Sequence, residues 1–230
     1  MSGVAVEDQK HWRISEAALI GMAGFLVLET LLLLLSICVR GRYGFAADLS
    51  RFQQRELDAL IAQIGTGLIC GPIILLLEKK RGLGGWRNSI GWNSGRWTLG
   101  SIVLGALLAV AYSVFLRFVH GGAAQFRDGS QTLDLSLYVL TDVFCAAALE
   151  EIYFRGILFV ALSKRFGGII AVIFVTLISD LVHPGRFAVV LPALFIFGVV
   201  RLRSKSVASC VWLHASYNFF LVFNPLSWPR

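Results

Sequence analysis

The chain has 230 residues, of which 57% are apolar and only 15% are charged, and its mean hydropathy is +0.73. Soluble domains contain about 45–50% apolar residues, so this composition excludes an ordinary soluble protein and indicates an integral membrane protein. The formal net charge of +7 comes from short basic segments between apolar runs, a pattern that orients membrane proteins. We therefore expect a lipid bilayer as partner and no nucleic acid.

Taken in chain order, the sequence predicts an all-α, polytopic integral membrane protein with about eight transmembrane helices. A polar tail covers residues 1–14 and a single membrane domain covers residues 15–230. A helix needs about 20 apolar residues to cross the bilayer. On that basis we expect spans at residues 15–39, 57–77, 97–119, 133–149, 150–165, 169–183, 187–202 and 207–223.

Orientation depends on the loops. Residues 78–96 contain five basic residues and one acidic residue, which by the positive-inside rule places this loop and the N-terminus in the cytoplasm. The arginines between residues 40 and 56 then lie on the opposite side and argue against this assignment.

The charged segment 147–156 is the first candidate site, because it sets Glu150, Glu151 and Arg155 inside an apolar, helix-forming run. A charge in the membrane is costly and usually marks a partner, a pathway or a reaction. Glu151 and Arg155 are separated by four residues and can pair along one helix face. Glu150 lies about 100° away around the axis and is free for another role. The alternative is that all three residues form a structural ion-pair cluster.

Three further polar residues follow in the C-terminal half. His183 ends the sixth predicted helix, and His214 and Asn218 lie four residues apart on the eighth, so their side chains share one face. A carboxylate beside a histidine can activate water as a general base, and a second histidine with an amide can donate to an oxyanion. Alternatively, Glu150, His183 and His214 could hold one divalent metal, most plausibly zinc. The sequence does not decide between hydrolysis without a metal and hydrolysis with one.

These residues make the chain resemble the CAAX protease and bacteriocin-processing family of intramembrane endopeptidases, also called the ABI family, which includes the type II CAAX prenyl protease. The segment 150–156, Glu-Glu-Ile-Tyr-Phe-Arg-Gly, is similar to the family's E-E-x-x-x-R motif, His183 to the histidine of its second motif, and His214 to Asn218 to its H-x-x-x-N motif. The resemblance covers about residues 146–220. It implies a protease core at about residues 133–224.

The resemblance also implies roles for individual residues. Glu150 and His183 would activate water, His214 and Asn218 would stabilise the oxyanion, and Glu151 and Arg155 would support the site. One position departs from the family, whose second motif is usually F-x-x-x-H: this chain has Ser179 four residues before His183. We also expect Asp180, three residues before His183, to orient that imidazole.

The sequence thus predicts an intramembrane endopeptidase that hydrolyses a membrane-associated peptide or protein and lies in a prokaryotic plasma membrane. No serine or cysteine stands beside a base in a recognisable nucleophile motif, so we expect attack by water. A membrane immunity or scaffold protein without catalysis is the alternative. A small transporter is a third possibility, although the chain shows no inverted repeat.

Overall fold

A computed structural model of the chain describes residues 11–42, 51–93, 97–120, 136–181 and 190–223. Within these ranges every regular element is a helix, which confirms the predicted all-α class. The helices are α1 (Ile14–Arg42), α2 (Arg51–Arg81), the short α3 (Trp86–Ile90), α4 (Trp97–His120), α5 (residues 136–166), α6 (Gly168–Leu181), α7 (Leu191–Ser204) and α8 (Val207–Phe223).

Three of these helices are long and apolar enough to cross a bilayer, over Ile14–Leu35 in α1, Gln53–Arg81 in α2 and Trp97–Phe115 in α4. Most side chains in these windows lie on the outside of the bundle, as expected for helices that face lipid. The chain is therefore an integral membrane protein. The described part of α6 is apolar and has 14 residues, about 21 Å at 1.5 Å per residue. The predicted count of about eight spans stays a prediction.

The helix α5 differs from the sequence prediction, which placed two separate helices at residues 133–149 and 150–165. The structure has one continuous helix from residue 136 to residue 166. The prediction was wrong because a change in polarity at Glu150 was read as a helix boundary, whereas residues 136–155 contain neither glycine nor proline to end the helix.

Two π-helical segments, Val139–Ala146 and Ile152–Leu158, interrupt the α-helical geometry of α5. A single short α-helical segment, Ala147–Glu151, lies between them and carries both glutamates. π-Helical segments widen the helix locally and are frequent at functional sites. The charged pair thus lies where the backbone of α5 changes its geometry.

The helix α8 packs against α4 on one side and against α5 on the other. The close approach to α4 requires a glycine at position 105, because a Cβ atom there would meet the carbonyl oxygen of Leu213. A buried cluster that includes Ala109, Phe197 and Leu213 fills the space between α4, α7 and α8. This packing fixes the position of α8 beside the glutamates of α5.

One end of the bundle, here called the basic end, collects the C-terminal ends of α2, α5 and α7. Arg81 at the end of α2 pairs with Glu16 at the start of α1 at 3.2 Å. The hydroxyl group of Ser206, between α7 and α8, donates to the carbonyl oxygen of Asn93 before α4. Exposed basic side chains surround this end: Lys79, Lys80, Arg87, Lys164, Arg165, Arg203 and Lys205.

Candidate active site

The centre of the candidate site is the carboxylate of Glu151, which is completely buried. Its Oε1 lies 3.1 Å from Nη1 of Arg155, which is also completely buried. The predicted pairing of these two residues along one helix face is confirmed, even though Arg155 lies in a π-helical segment. The second terminal nitrogen of Arg155, Nη2, donates to the carbonyl oxygen of Leu194 in α7 at 3.2 Å.

The same oxygen of Glu151 also contacts His214 of α8. The distance from Oε1 to the ring Nδ1 of His214 is 3.0 Å, and the imidazole packs against Phe197 with 5.2 Å between ring centroids. A carboxylate on Nδ1 fixes the orientation of an imidazole and directs Nε2 to the other side of the ring. Fixed in this way, Nε2 is the nitrogen of His214 that can act in chemistry.

Glu150 has a different environment from its neighbour. Its side chain is half-buried, whereas Glu151 is enclosed between Arg155 and His214. Adjacent residues of a helix point about 100° apart, so the backbone itself separates the two carboxylates. The site therefore contains one completely buried carboxylate, that of Glu151, and a second on the half-buried residue Glu150, whose Oε2 is itself enclosed.

Asn218, one turn after His214, is half-buried and also faces α5. Its Nδ2 donates to the backbone carbonyl oxygen of Asp142 at 2.8 Å. His214 and Asn218 thus contact Glu151 and Asp142, nine positions apart on α5 and in the reverse order, so the two helices run antiparallel. The predicted common face of His214 and Asn218 is the face that α8 presents to α5.

Asp180 and its neighbour Ser179 lie in the last turn of α6. Ser179 and Asp180 are completely buried. His183 lies outside the described residues, so the expected contacts of this histidine with Glu150 and with Asp180 stay predictions.

The proposed metal ligands Glu150, His183 and His214 include this same histidine. In the part of the chain that the structure describes, no three His, Cys, Asp or Glu side chains lie close enough to hold a metal ion. Two of the three proposed ligands, Glu150 and His214, lie in the described part of the chain. Glu151 contacts Nδ1 of His214, and a carboxylate in that position commonly supports a histidine that binds a metal through Nε2. The donor set of Glu150 and Nε2 of His214 is thus compatible with a metal.

Arg201 is a site residue that the sequence prediction missed, because it was assigned to a basic loop. The structure buries it at 5% exposure, with its Nε donating to the backbone carbonyl oxygen of Arg155 at 2.7 Å and its Nη2 to that of Ile90 at 3.2 Å. Arg201 thereby joins α7, α3 and the part of α5 that follows the glutamates. Helical spacing contained the signal: Leu194, Phe197, Gly198 and Arg201 follow the i, i+3, i+4, i+7 pattern of one buried face.

Comparison with known families supports the assignment from motifs. Residues 132–220 match the family model for Rce1-like proteins, described as type II CAAX prenyl endopeptidase Rce1-like. The match includes the segments of Glu150, His183 and His214, and it confirms the resemblance to the CAAX protease family. No curated protein and no solved structure shows significant similarity to the chain. At family level, the Rce1-like segment supports a CAAX-type protease in the membrane.

Proposed function

We propose that this protein is an intramembrane endopeptidase that cleaves a peptide bond of a membrane-associated protein or peptide with water activated by Glu150 and His183. The observation that carries the proposal is the contact of one buried carboxylate, Glu151, with both Arg155 and His214. This contact joins the first and last motifs of the Rce1-like segment, although they are about 60 residues apart in the chain. A purely structural ion pair on α5 would need no histidine from α8.

Glu150 is the proposed general base. A base must reach water and the scissile bond. Glu151 is completely buried and its Oε1 already contacts Arg155 and His214, whereas Glu150 is only half-buried as a residue. General base catalysis by a positioned carboxylate contributes about 10²- to 10⁴-fold to a rate. In this mechanism Glu150 takes a proton from water, the resulting hydroxide attacks the peptide carbonyl, and the same proton later reaches the leaving amine.

His214 and Asn218 are the proposed oxyanion donors. A doubly protonated imidazole would donate from Nδ1 to Glu151 and from Nε2 to the oxyanion. In such a state Arg155 balances the charge of Glu151, and the N–H at Nε2 of His214 favours the negative charge that forms on the carbonyl oxygen. An asparagine amide has two N–H groups, so the bond from Asn218 to Asp142 still leaves one hydrogen for the substrate.

A metal held by Glu150, His183 and His214 is the alternative mechanism at the same site. Zinc with one carboxylate and two imidazoles keeps an open position for water. Bound there, it would polarise the substrate carbonyl and lower the barrier to forming hydroxide. In this alternative Glu151 keeps the role of orienting His214 through Nδ1.

The setting of the site supports a substrate attached to the membrane. All three candidate spans precede the Rce1-like segment in the chain. We place the protein, with several passes, in a prokaryotic plasma membrane. We do not restrict the substrates to prenylated proteins. Peptides anchored by a lipid or by one helix, with the scissile bond near the surface, form the substrate class.

The proposal is tested by reconstituting the protein in liposomes with a panel of membrane-anchored peptides and identifying products by mass spectrometry. We expect cleavage by the wild type, no detectable cleavage by the Glu150→Gln variant, and normal cleavage by Glu29→Gln. Glu29 is a suitable control because it is an exposed carboxylate of α1. Equal cleavage by all three proteins would contradict the catalytic role of Glu150. Absence of cleavage by the wild type across the whole panel would instead favour an immunity or scaffold function.

A further inference from the structure

A pocket lies at the basic end of the bundle, between the start of α1 and the last turns of α5. It has a volume of about 500 Å³. Its lining contains two arginines, a histidine, an indole and apolar groups: His11, Trp12, Arg13, Ile14, Ser15, Ala161 and Arg165. None of these residues belongs to the candidate active site.

The charges and donors of this pocket suit an anion. Arg13 and Arg165 are exposed, and their guanidinium groups pair well with phosphate. Trp12 is completely buried, and its Nε1–H has no hydrogen-bond acceptor among the described residues. A buried indole normally finds such an acceptor, so this donor is an independent indication that a ligand completes the pocket.

Among the residues that the structure describes, the acidic residue next to the pocket lining in the chain is Glu16, and it does not oppose an anion. Glu16 accepts the backbone N–H of Arg13 at 2.9 Å and pairs with Arg81 at 3.2 Å. Its negative charge is thus matched by a guanidinium outside the pocket. The first turn of α1, which begins at Ile14, adds backbone N–H groups and the positive end of a helix dipole.

The position of the pocket favours a lipid over a soluble anion. It lies at the end of α1 where the membrane span begins, at Ile14, and the exposed side chains of Leu19 and Met22 continue from it along the outer face of that span. A phosphate in the pocket would leave acyl chains beside this apolar face. Exposed basic residues such as Lys164 on the same end attract anionic headgroups.

We propose that this pocket binds the phosphate of an anionic phospholipid headgroup, with Arg13, Arg165 and the indole N–H of Trp12 as its donors. The site would attach the end of α5, the helix that carries the glutamates, to the membrane surface. This proposal is independent of the proposed protease function and holds for a catalytic or a non-catalytic protein.

The experiment measures lipid binding to the full-length protein in detergent by native mass spectrometry. The probes are phosphatidylglycerol, phosphatidylcholine with the same acyl chains, and soluble glycerol 3-phosphate. We expect preferential binding of phosphatidylglycerol, and a loss of its affinity of roughly 10- to 30-fold in the double variant Arg13→Gln/Arg165→Gln, since each basic residue contributes about 1 kcal/mol of attraction to an anionic headgroup.

A matched control removes the same charge outside the pocket. The double variant Lys80→Gln/Arg203→Gln, at exposed positions of the same end, should keep nearly the wild-type affinity. If both double variants lost the same affinity for phosphatidylglycerol, general surface charge would explain the binding, and the proposed site would be contradicted. Competition by glycerol 3-phosphate as strong as that by the lipid would show a soluble phosphate site and overturn the lipid assignment.

The indole donor is tested separately with Trp12→Phe, which keeps an aromatic ring and removes the N–H. We expect weaker phosphatidylglycerol binding, while thermal unfolding without added lipid confirms that the variant is folded. A folded Trp12→Phe variant with unchanged affinity would contradict the assignment of the indole and of the pocket around it. If this variant does not fold, the arginine pair and its control decide the question alone.

Discussion

The buried pair Glu151–Arg155 permits a quantitative test, because each partner is completely enclosed. Replacing Arg155 with methionine leaves the carboxylate of Glu151 buried with only His214 beside it. Removing one partner of a buried ion pair costs about 3–5 kcal/mol of unfolding free energy. The lost bond to Leu194 adds little, since its carbonyl oxygen still has the hydroxyl group of Thr176 at 3.5 Å.

The complementary variant Glu151→Gln keeps the shape of the side chain and removes its charge. We expect a cost of about 3–5 kcal/mol here also, because Arg155 then carries an uncompensated buried charge. The double variant Arg155→Met/Glu151→Gln removes both charges, and it should cost less than the sum of the single variants by about 2–3 kcal/mol. Reversible unfolding in mixed micelles by SDS titration, followed by circular dichroism, measures all three.

The matched control is the partly exposed pair Glu16–Arg81 at 3.2 Å. Its variants Glu16→Gln and Arg81→Met should each cost less than about 1 kcal/mol, as is usual for pairs in contact with solvent. The account of a buried cluster would be refuted if Glu151→Gln and Arg155→Met each lowered the unfolding free energy by less than about 1 kcal/mol and if their effects added in the double variant.

Three further predictions concern packing, the missed arginine and the metal. The Gly105→Ala variant should lower stability by about 1–3 kcal/mol and slow cleavage, because its new Cβ atom meets the backbone of α8 next to the site. The control Gly100→Ala should change neither property, since a Cβ atom there has no other atom within 4 Å. Thermal unfolding and a cleavage assay compare the two variants. Arg201→Lys should cost about 1–3 kcal/mol because one ammonium group cannot serve both carbonyl oxygens, while the exposed Arg203→Lys should change stability by less than about 0.5 kcal/mol. A strong chelator should leave cleavage unchanged if Glu150 acts with a histidine alone; loss of cleavage that zinc restores would instead support the metal mechanism.

The sequence predicted the parts of this structure that follow from apolar periodicity and motif spacing. The helix α8 has the predicted bounds, and the pairing of Glu151 with Arg155 follows from their separation by four residues. The continuity of α5 was not predicted. In the sequence, a group of charged residues that faces a neighbouring helix resembles the polar end of a helix. The absence of glycine and proline from residues 136–155 was the better evidence, and it favours one continuous helix.

The sequence could not predict which helices that are far apart in the chain come into contact. Spacing showed that His214 and Asn218 share a face, but it could not show which glutamate that face would meet. The choice of Glu151 depends on how closely α8 approaches α4 and α5. The burial of Arg201 likewise depends on the position of α3, whose backbone carbonyl group at Ile90 receives the guanidinium group.

The most direct test of the central claim compares Glu150→Gln with Glu151→Gln in one assay of peptide cleavage, alongside thermal unfolding of each protein. The account predicts that Glu150→Gln unfolds like the wild type but cleaves at least about 100-fold more slowly, whereas Glu151→Gln loses stability. A stable Glu150→Gln variant that cleaves at the wild-type rate would contradict the assignment of Glu150 as the base that activates water.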